Sequence, residues 1–147
     1  MTELDAQGNP TQKMGHLACF AGGFWGLTSQ VLPEESAGDM ELAEGITQTC
    51  RDSYTMTKTG IGPEYFNSIG NPIEKNSYYS LRPETAESYF YLWRLTKDEK
   101  YRDWAWEFIQ AIELHCKADY GYAGLRDVNT GDKNDVQESY FLAETLK

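Results

Sequence analysis

Leu81-Arg82-Pro83-Glu84-Thr85-Ala86-Glu87-Ser88-Tyr89-Phe90-Tyr91-Leu92-Trp93-Arg94 decides the fold. Proline suits the first position of a helix, where its missing N–H costs nothing. The stretch behind it holds no further Gly or Pro, so the chain predicts a helix that starts near Pro83. Just after it, Thr96-Lys97-Asp98-Glu99 has the form of a capping box and predicts a second helix start. That helix carries a stripe of Tyr101, Trp104, Phe108, Ile112 and His115. Upstream, Met40, Ala43, Ile46, Cys50 and Tyr54 recur at three- and four-residue spacing, which predicts a helix from about Asp39 to Lys58. Gly60, Gly62 and Pro63 end it, and residues 60–80 read as loop or short hairpin.

The ends are less regular. Residues 1–13 read as loop. His16-Leu17-Ala18-Cys19-Phe20 is a short apolar run before Gly22-Gly23, and periodicity leaves it open between a strand and the start of a helix. Gly121 and Gly124 break the chain around a short hairpin, Tyr120 to Val128. Asp135 and Glu138 resemble a weaker capping arrangement and predict a last helix, still in stride at Lys147, as if cut from a longer chain. The fold class is therefore all-α, built of helical hairpins with short β-hairpins in the loops.

Composition narrows the function. The chain has 147 residues, 13 Lys+Arg against 23 Asp+Glu and a formal net charge of -10. So acidic a chain repels phosphate, which excludes a nucleic-acid partner. No run approaches a membrane span and no signal peptide opens the chain, so a secreted parent would carry its targeting segment before Met1. Three cysteines cannot all pair within one chain, and no zinc spacing is present.

Chemistry could gather at two helix beginnings. Glu84 stands in a first turn, and Glu87 lies three residues on, on the same face. Tyr140 and Glu144 are four apart and also share a face, with Glu138 nearby. The plain reading of Glu84 is an electrostatic cap favoured by the helix dipole. If both helix ends face one cavity, the same acids suit glycoside hydrolysis, which needs carboxylates on both sides of the scissile bond, or a hard cation, which needs oxygen ligands directly or through water. Glu64, after Gly62-Pro63, reads as an exposed loop carboxylate. His16, on an apolar run, reads as a hydrogen-bonded core histidine, and Trp104 and Trp106 as packing.

The chain resembles the class I α-1,2-mannosidases, glycoside hydrolase family 47. The resemblance rests on Lys13-Met14-Gly15-His16-Leu17-Ala18-Cys19-Phe20-Ala21-Gly22-Gly23, Gly62-Pro63-Glu64, Leu81-Arg82-Pro83-Glu84-Thr85, the run from Tyr91 to Cys116, Gly124-Leu125-Arg126-Asp127-Val128 and Gln137 to Lys147. The stretches fall in the family's order, and several look like its Golgi branch. The resemblance implies a part of an (αα)7 barrel: residues 1–147 would be a fragment of one catalytic domain, incomplete at both ends. It implies hydrolysis, with inversion, of terminal α-1,2-linked mannose from high-mannose N-glycans on glycoproteins. Calcium is the implied cofactor, its direct Thr ligand expected beyond Lys147. Glu84 is the implied general base and Glu64 a second catalytic candidate. Arg82, His16, Tyr140 and Glu144 would meet the sugar, with Tyr140 where the family usually has Phe. Glu84, Glu87 and Glu144 would hold calcium through water. Cys19 and Cys50 match the family's disulfide, which implies an oxidising lumen. The implied location is the secretory pathway, at the Golgi membrane before the endoplasmic reticulum, with any anchor outside this fragment. The fragment alone is expected to be inactive. The alternatives are a mannose-glycan recognition module in glycoprotein quality control and a helical scaffold without chemistry.

Overall fold

A computed structural model describes residues 2–32, 34, 37–67 and 76–147. Its long elements are helices α1 (Ala21–Val31), α2 (Asp39–Thr55), α3 (Glu84–Thr96) and α4 (Lys100–His115). Strands β1 (Lys13–Gly15) and β2 (Tyr65–Asn67) pair antiparallel, with Met14 opposite Phe66. β3 (Lys117–Ala118) and β4 (Gly121–Tyr122) form one small hairpin, and β5 (Leu125–Asp127) and β6 (Asp132–Lys133) another. A single wide turn, Phe141–Thr145, follows. Among the described residues no helix is long and apolar enough to cross a membrane.

α2 and α4 lie where the periodicity puts them, and α3 starts directly after Pro83 as that proline predicts. The capping detail differs: Asp98, not the Thr96–Glu99 box, opens α4, its carboxylate accepting the Lys100 N–H at 3.0 Å. Thr96 instead turns back, donating to the Leu92 carbonyl and closing α3. The apolar run at 16–20 is one 3-10 turn leading directly into α1. Of the two readings left open, the entry to a helix is the observed one, and α1 runs straight through Gly22, Gly23 and Gly26. A Cβ on Gly22 would overlap Thr47 of α2 and press Ser88 of α3; one on Gly26 would lie 3.0 Å from Leu92. The glycines are there because three helices meet closely, a tertiary reason that overrides their poor helix propensity.

The end of the chain also departs from expectation. Asp135 has a left-handed backbone, φ 62°, instead of the extended one from which a side chain caps a helix, and helical geometry is confined to the one turn at Phe141–Thr145. Two short hairpins replace the single one expected at 120–128, with Gly121 and Gly131 taking positive φ at their turns.

Three apolar clusters hold the layers together. Met14, Cys19, Ile46, Cys50 and Phe66 join β1, β2, α1 and α2. Ala43, Tyr89, Leu92 and Tyr101 join α2, α3 and α4. Tyr54, Tyr79, Leu81, Phe108, Leu125 and Phe141 pack beneath the start of α3. Gly22→Ala should destabilise the fold by roughly 2–3 kcal/mol, because the added methyl has backbone-anchored neighbours on two sides. Gly45→Ala, with nothing within 4 Å of its Cβ position, should stabilise α2 by about 0.5–1 kcal/mol. Thermal melts of the two variants check both signs.

Candidate active site

Glu84 begins α3 and is 9% exposed, which is unusual for a carboxylate unless it is paired. Two residues before it, Arg82 leaves a strand-like segment fixed by reciprocal backbone bonds between Tyr79 and Leu125. The Tyr79 hydroxyl adds a bond to the Arg82 carbonyl. The guanidinium is thereby held over Glu64 and donates to both of its oxygens, each at 2.7 Å. Glu64 is 6% exposed. The loop carboxylate expected at the surface is therefore buried, because Arg82 neutralises it with a two-pronged contact.

His16 closes the other side. Its backbone N–H donates to the Glu64 carbonyl, at 2.9 Å. Its ring is 1% exposed; Nδ1 lies 3.1 Å from Glu84 Oε2 and Nε2 lies 2.6 Å from the Tyr54 hydroxyl. Arg82 Nη1 stands 3.6 Å from Glu84 Oε1. Glu64, Arg82, Glu84 and His16 thus form one connected cluster from three separate stretches of sequence. Beside it opens a cleft of about 250 Å³ whose walls include Ala18, Glu64, Tyr65 and His16 but not Arg82 or Glu84. A larger hollow of about 400 Å³ lies away from these groups along α2, at Leu42 and Ile46. The chemistry, not the size of the hollow, marks the cluster as the site.

Electrostatics follow from this wiring. Burial pushes the Glu84 carboxyl up, but the hydrogen bond from His16, its own backbone N–H and Arg82 together outweigh it and hold it below the usual range. The Glu64 contact holds Arg82 yet more firmly protonated, against its burial. Glu87 goes the other way: partial burial, then the charges of Glu84 and Glu144, raise it.

Tyr140 and Glu144 are brought to the same region. The Tyr140 hydroxyl donates to the Ser80 carbonyl at 2.6 Å, and the Thr145 hydroxyl to the Leu81 carbonyl at 2.7 Å. Burial pushes the Tyr140 phenol up to about 12, with Arg82 opposing. Glu87 and Glu144 are both exposed. Among the described residues, no group of three or more His, Cys, Asp or Glu side chains is gathered to hold a metal ion. Cys19 and Cys50 are paired, and Cys116 is a buried free thiol.

Sequence reading missed Tyr54 and Thr85 as members of the cluster. Tyr54 counts as one more apolar residue in the α2 stripe. The available signal was its hydroxyl, which a buried tyrosine must satisfy.

Known proteins resemble the chain over nearly its whole length. The family model Glycosyl hydrolase family 47 matches residues 1–147. Mannosyl-oligosaccharide alpha-1,2-mannosidase IA of Drosophila melanogaster is 49% identical over 144 residues, covering 92% of this chain and 21% of the fly protein. Mannosyl-oligosaccharide 1,2-alpha-mannosidase IA of Sus scrofa is 47% identical over 143 residues, 92% of this chain and 22% of that one. The solved structure of an alpha-1,2-mannosidase from Trichoderma reesei superposes with a TM-score of 0.83 at 34% identity, covering 94% of this chain and 33% of that one. The chain thus spans about a fifth of the curated relatives it matches.

Proposed function

The chain belongs to glycosyl hydrolase family 47, and on that basis we propose that it is one portion of a catalytic domain that removes terminal α-1,2-linked mannose from high-mannose N-glycans with inversion. Residues 1–147 form part of an (αα)7 barrel in this reading, and that portion alone is inactive. The one observation that carries it is the buried carboxylate of Glu84 at the start of α3, tied to His16 and flanked by the Arg82–Glu64 pair. The secretory-pathway lumen, Golgi before endoplasmic reticulum, is the proposed location, and the Cys19–Cys50 disulfide is consistent with it.

Glu84 accepts the proton of the attacking water, and its low carboxyl pKa keeps it in the basic form at neutral pH. Arg82 directs N–H groups toward sugar hydroxyls. Both oxygens of Glu64 accept from Arg82, so Glu64 can protonate the leaving oxygen only once Arg82 releases it and it has taken up a proton from solvent. Tyr140 offers a ring on which a sugar can stack.

Calcium belongs to the same proposal. The donor set is carboxylate oxygen, which suits a hard cation, and the charges of Glu84 and Glu144 felt at Glu87 invite a positive partner. Among the described residues no three His, Cys, Asp or Glu side chains gather to ligate the ion directly. Glu84, Glu87 and Glu144 would hold the ion through its waters. When bound, calcium polarises water.

The test is release of mannose by the full-length protein from α-1,2-mannobiose and from a high-mannose glycan, with α-1,3- and α-1,6-linked disaccharides as controls. Release from the α-1,2 substrates alone is expected. Binding of the glycan without release would replace this reading with the recognition module.

A further inference from the structure

Tyr54, fully buried in α2, touches both halves of the cluster. Its ring packs edge-on against Phe108, centroids 5.7 Å apart, and lies so close to Gly62 that a Cβ there would overlap it. Gly62 begins the Gly62-Pro63-Glu64 loop, so the ring seats the segment that carries Glu64. Its hydroxyl points the other way, to His16 Nε2.

The partners decide where the His16 proton sits. An ionised carboxylate only accepts hydrogen bonds, so the contact at 3.1 Å to Glu84 Oε2 requires a hydrogen on Nδ1. In a neutral ring Nε2 is then an acceptor. Burial raises the Tyr54 phenol well above its ordinary range, so it stays protonated and can donate there. The Thr85 hydroxyl is the only other hydrogen-bonding partner of Nε2 among the described residues, at 3.4 Å, the limit of useful reach.

We propose that Tyr54 is a positioning residue of this site: its hydroxyl donates to His16 Nε2, fixes the proton on Nδ1 and aims that N–H at Glu84 Oε2. This rests on the reading of Glu84 as the water-activating carboxylate. The consequence is that the two oxygens of Glu84 are not equivalent. Oε2 is committed to His16, and Oε1, on the Arg82 side, is the oxygen left to take the water's proton.

Tyr54→Phe tests this, because it keeps the ring against Gly62 and Phe108 and removes only the hydroxyl. In the full-length protein labelled with 15N-histidine, the wild type should show His16 as the Nδ1–H tautomer with a hydrogen-bonded Nε2. Tyr54→Phe should move Nε2 downfield while the rest of the spectrum holds, and should lower kcat about tenfold with KM nearly unchanged. Thr85→Val, which removes a hydroxyl that also bonds Tyr54, should move Nε2 less than Tyr54→Phe does. A hydrogen on Nε2 in the wild type, as the Nε2–H tautomer or as a doubly protonated ring, or an Nε2 signal that moves with Thr85→Val and not with Tyr54→Phe, would overturn the proposal. Glu84→Gln, run alongside, separates the two claims. If it leaves turnover intact the catalytic reading falls, while the Nε2 signal still decides the role of Tyr54.

Discussion

Glu84→Gln in the full-length protein should lower kcat for mannose release by about 10²- to 10⁴-fold, the usual contribution of a positioned general base. The substitution keeps the shape of the side chain and an oxygen that can accept from His16. It removes the charge that takes the proton. The structure makes Glu84 the natural place for so large an effect. It is buried, it stands at a helix N-terminus, and its contacts all favour the ionised form except burial itself. The sign of the pH dependence follows. A carboxyl whose pKa is lowered by folding contributes stability above its unfolded pKa, and loses that contribution as pH falls through the folded value. Activity that needs Glu84 as a base falls over the same window, on the acid side of the ordinary carboxylate range. Initial rates across pH for both proteins measure this. A variant with undiminished turnover removes Glu84 from the mechanism.

Cys19→Ser together with Cys50→Ser should cost roughly 3–4 kcal/mol of stability, the loop-closure value for a cross-link spanning 31 residues. For a domain of this size that is a fall in Tm on the order of 10 °C. Both sulfurs are fully buried in the cluster that joins α1, α2 and the β1–β2 pair. The Cys19 carbonyl also accepts from Ser88, which ties the bridge to α3. His16 lies one turn before Cys19, so the loss should reach the active site as well as the melt. Cys116 cannot rescue the bridge, because it is the only thiol left and is buried away from both positions. Melting with and without a reductant checks the prediction, and an unchanged Tm contradicts it.

The helices that bury one regular stripe were legible in the sequence. α2, α3 and α4 each repeat apolar residues at helical spacing, and tertiary packing agrees with that pattern. α1 was hidden because Gly22, Gly23 and Gly26 are chosen for what they touch, not for the helix they sit in. The last helix was over-read because Asp135 and Glu138 have the spacing of a cap, while Asp135 takes a left-handed backbone without a capping bond and helical geometry starts only at Phe141. At the site, spacing alone marked Glu84, Glu87, Tyr140 and Glu144. The carboxylate of Glu64 could not be placed that way, since its partner Arg82 is 18 residues off, across a loop with no periodicity. Roles for Arg82, His16 and Glu64 came from the family resemblance. The bond from Tyr54 to His16 spans 38 residues and lay outside both kinds of reading.

The most direct measurement is a crystal structure of the full-length protein carrying Glu84→Gln, soaked with α-1,2-mannobiose. The terminal mannose should lie between Arg82 and position 84, with a water on the position-84 side of the anomeric carbon. A disaccharide ordered elsewhere, touching neither residue, would contradict the assignment of this cluster as the sugar-cleaving site.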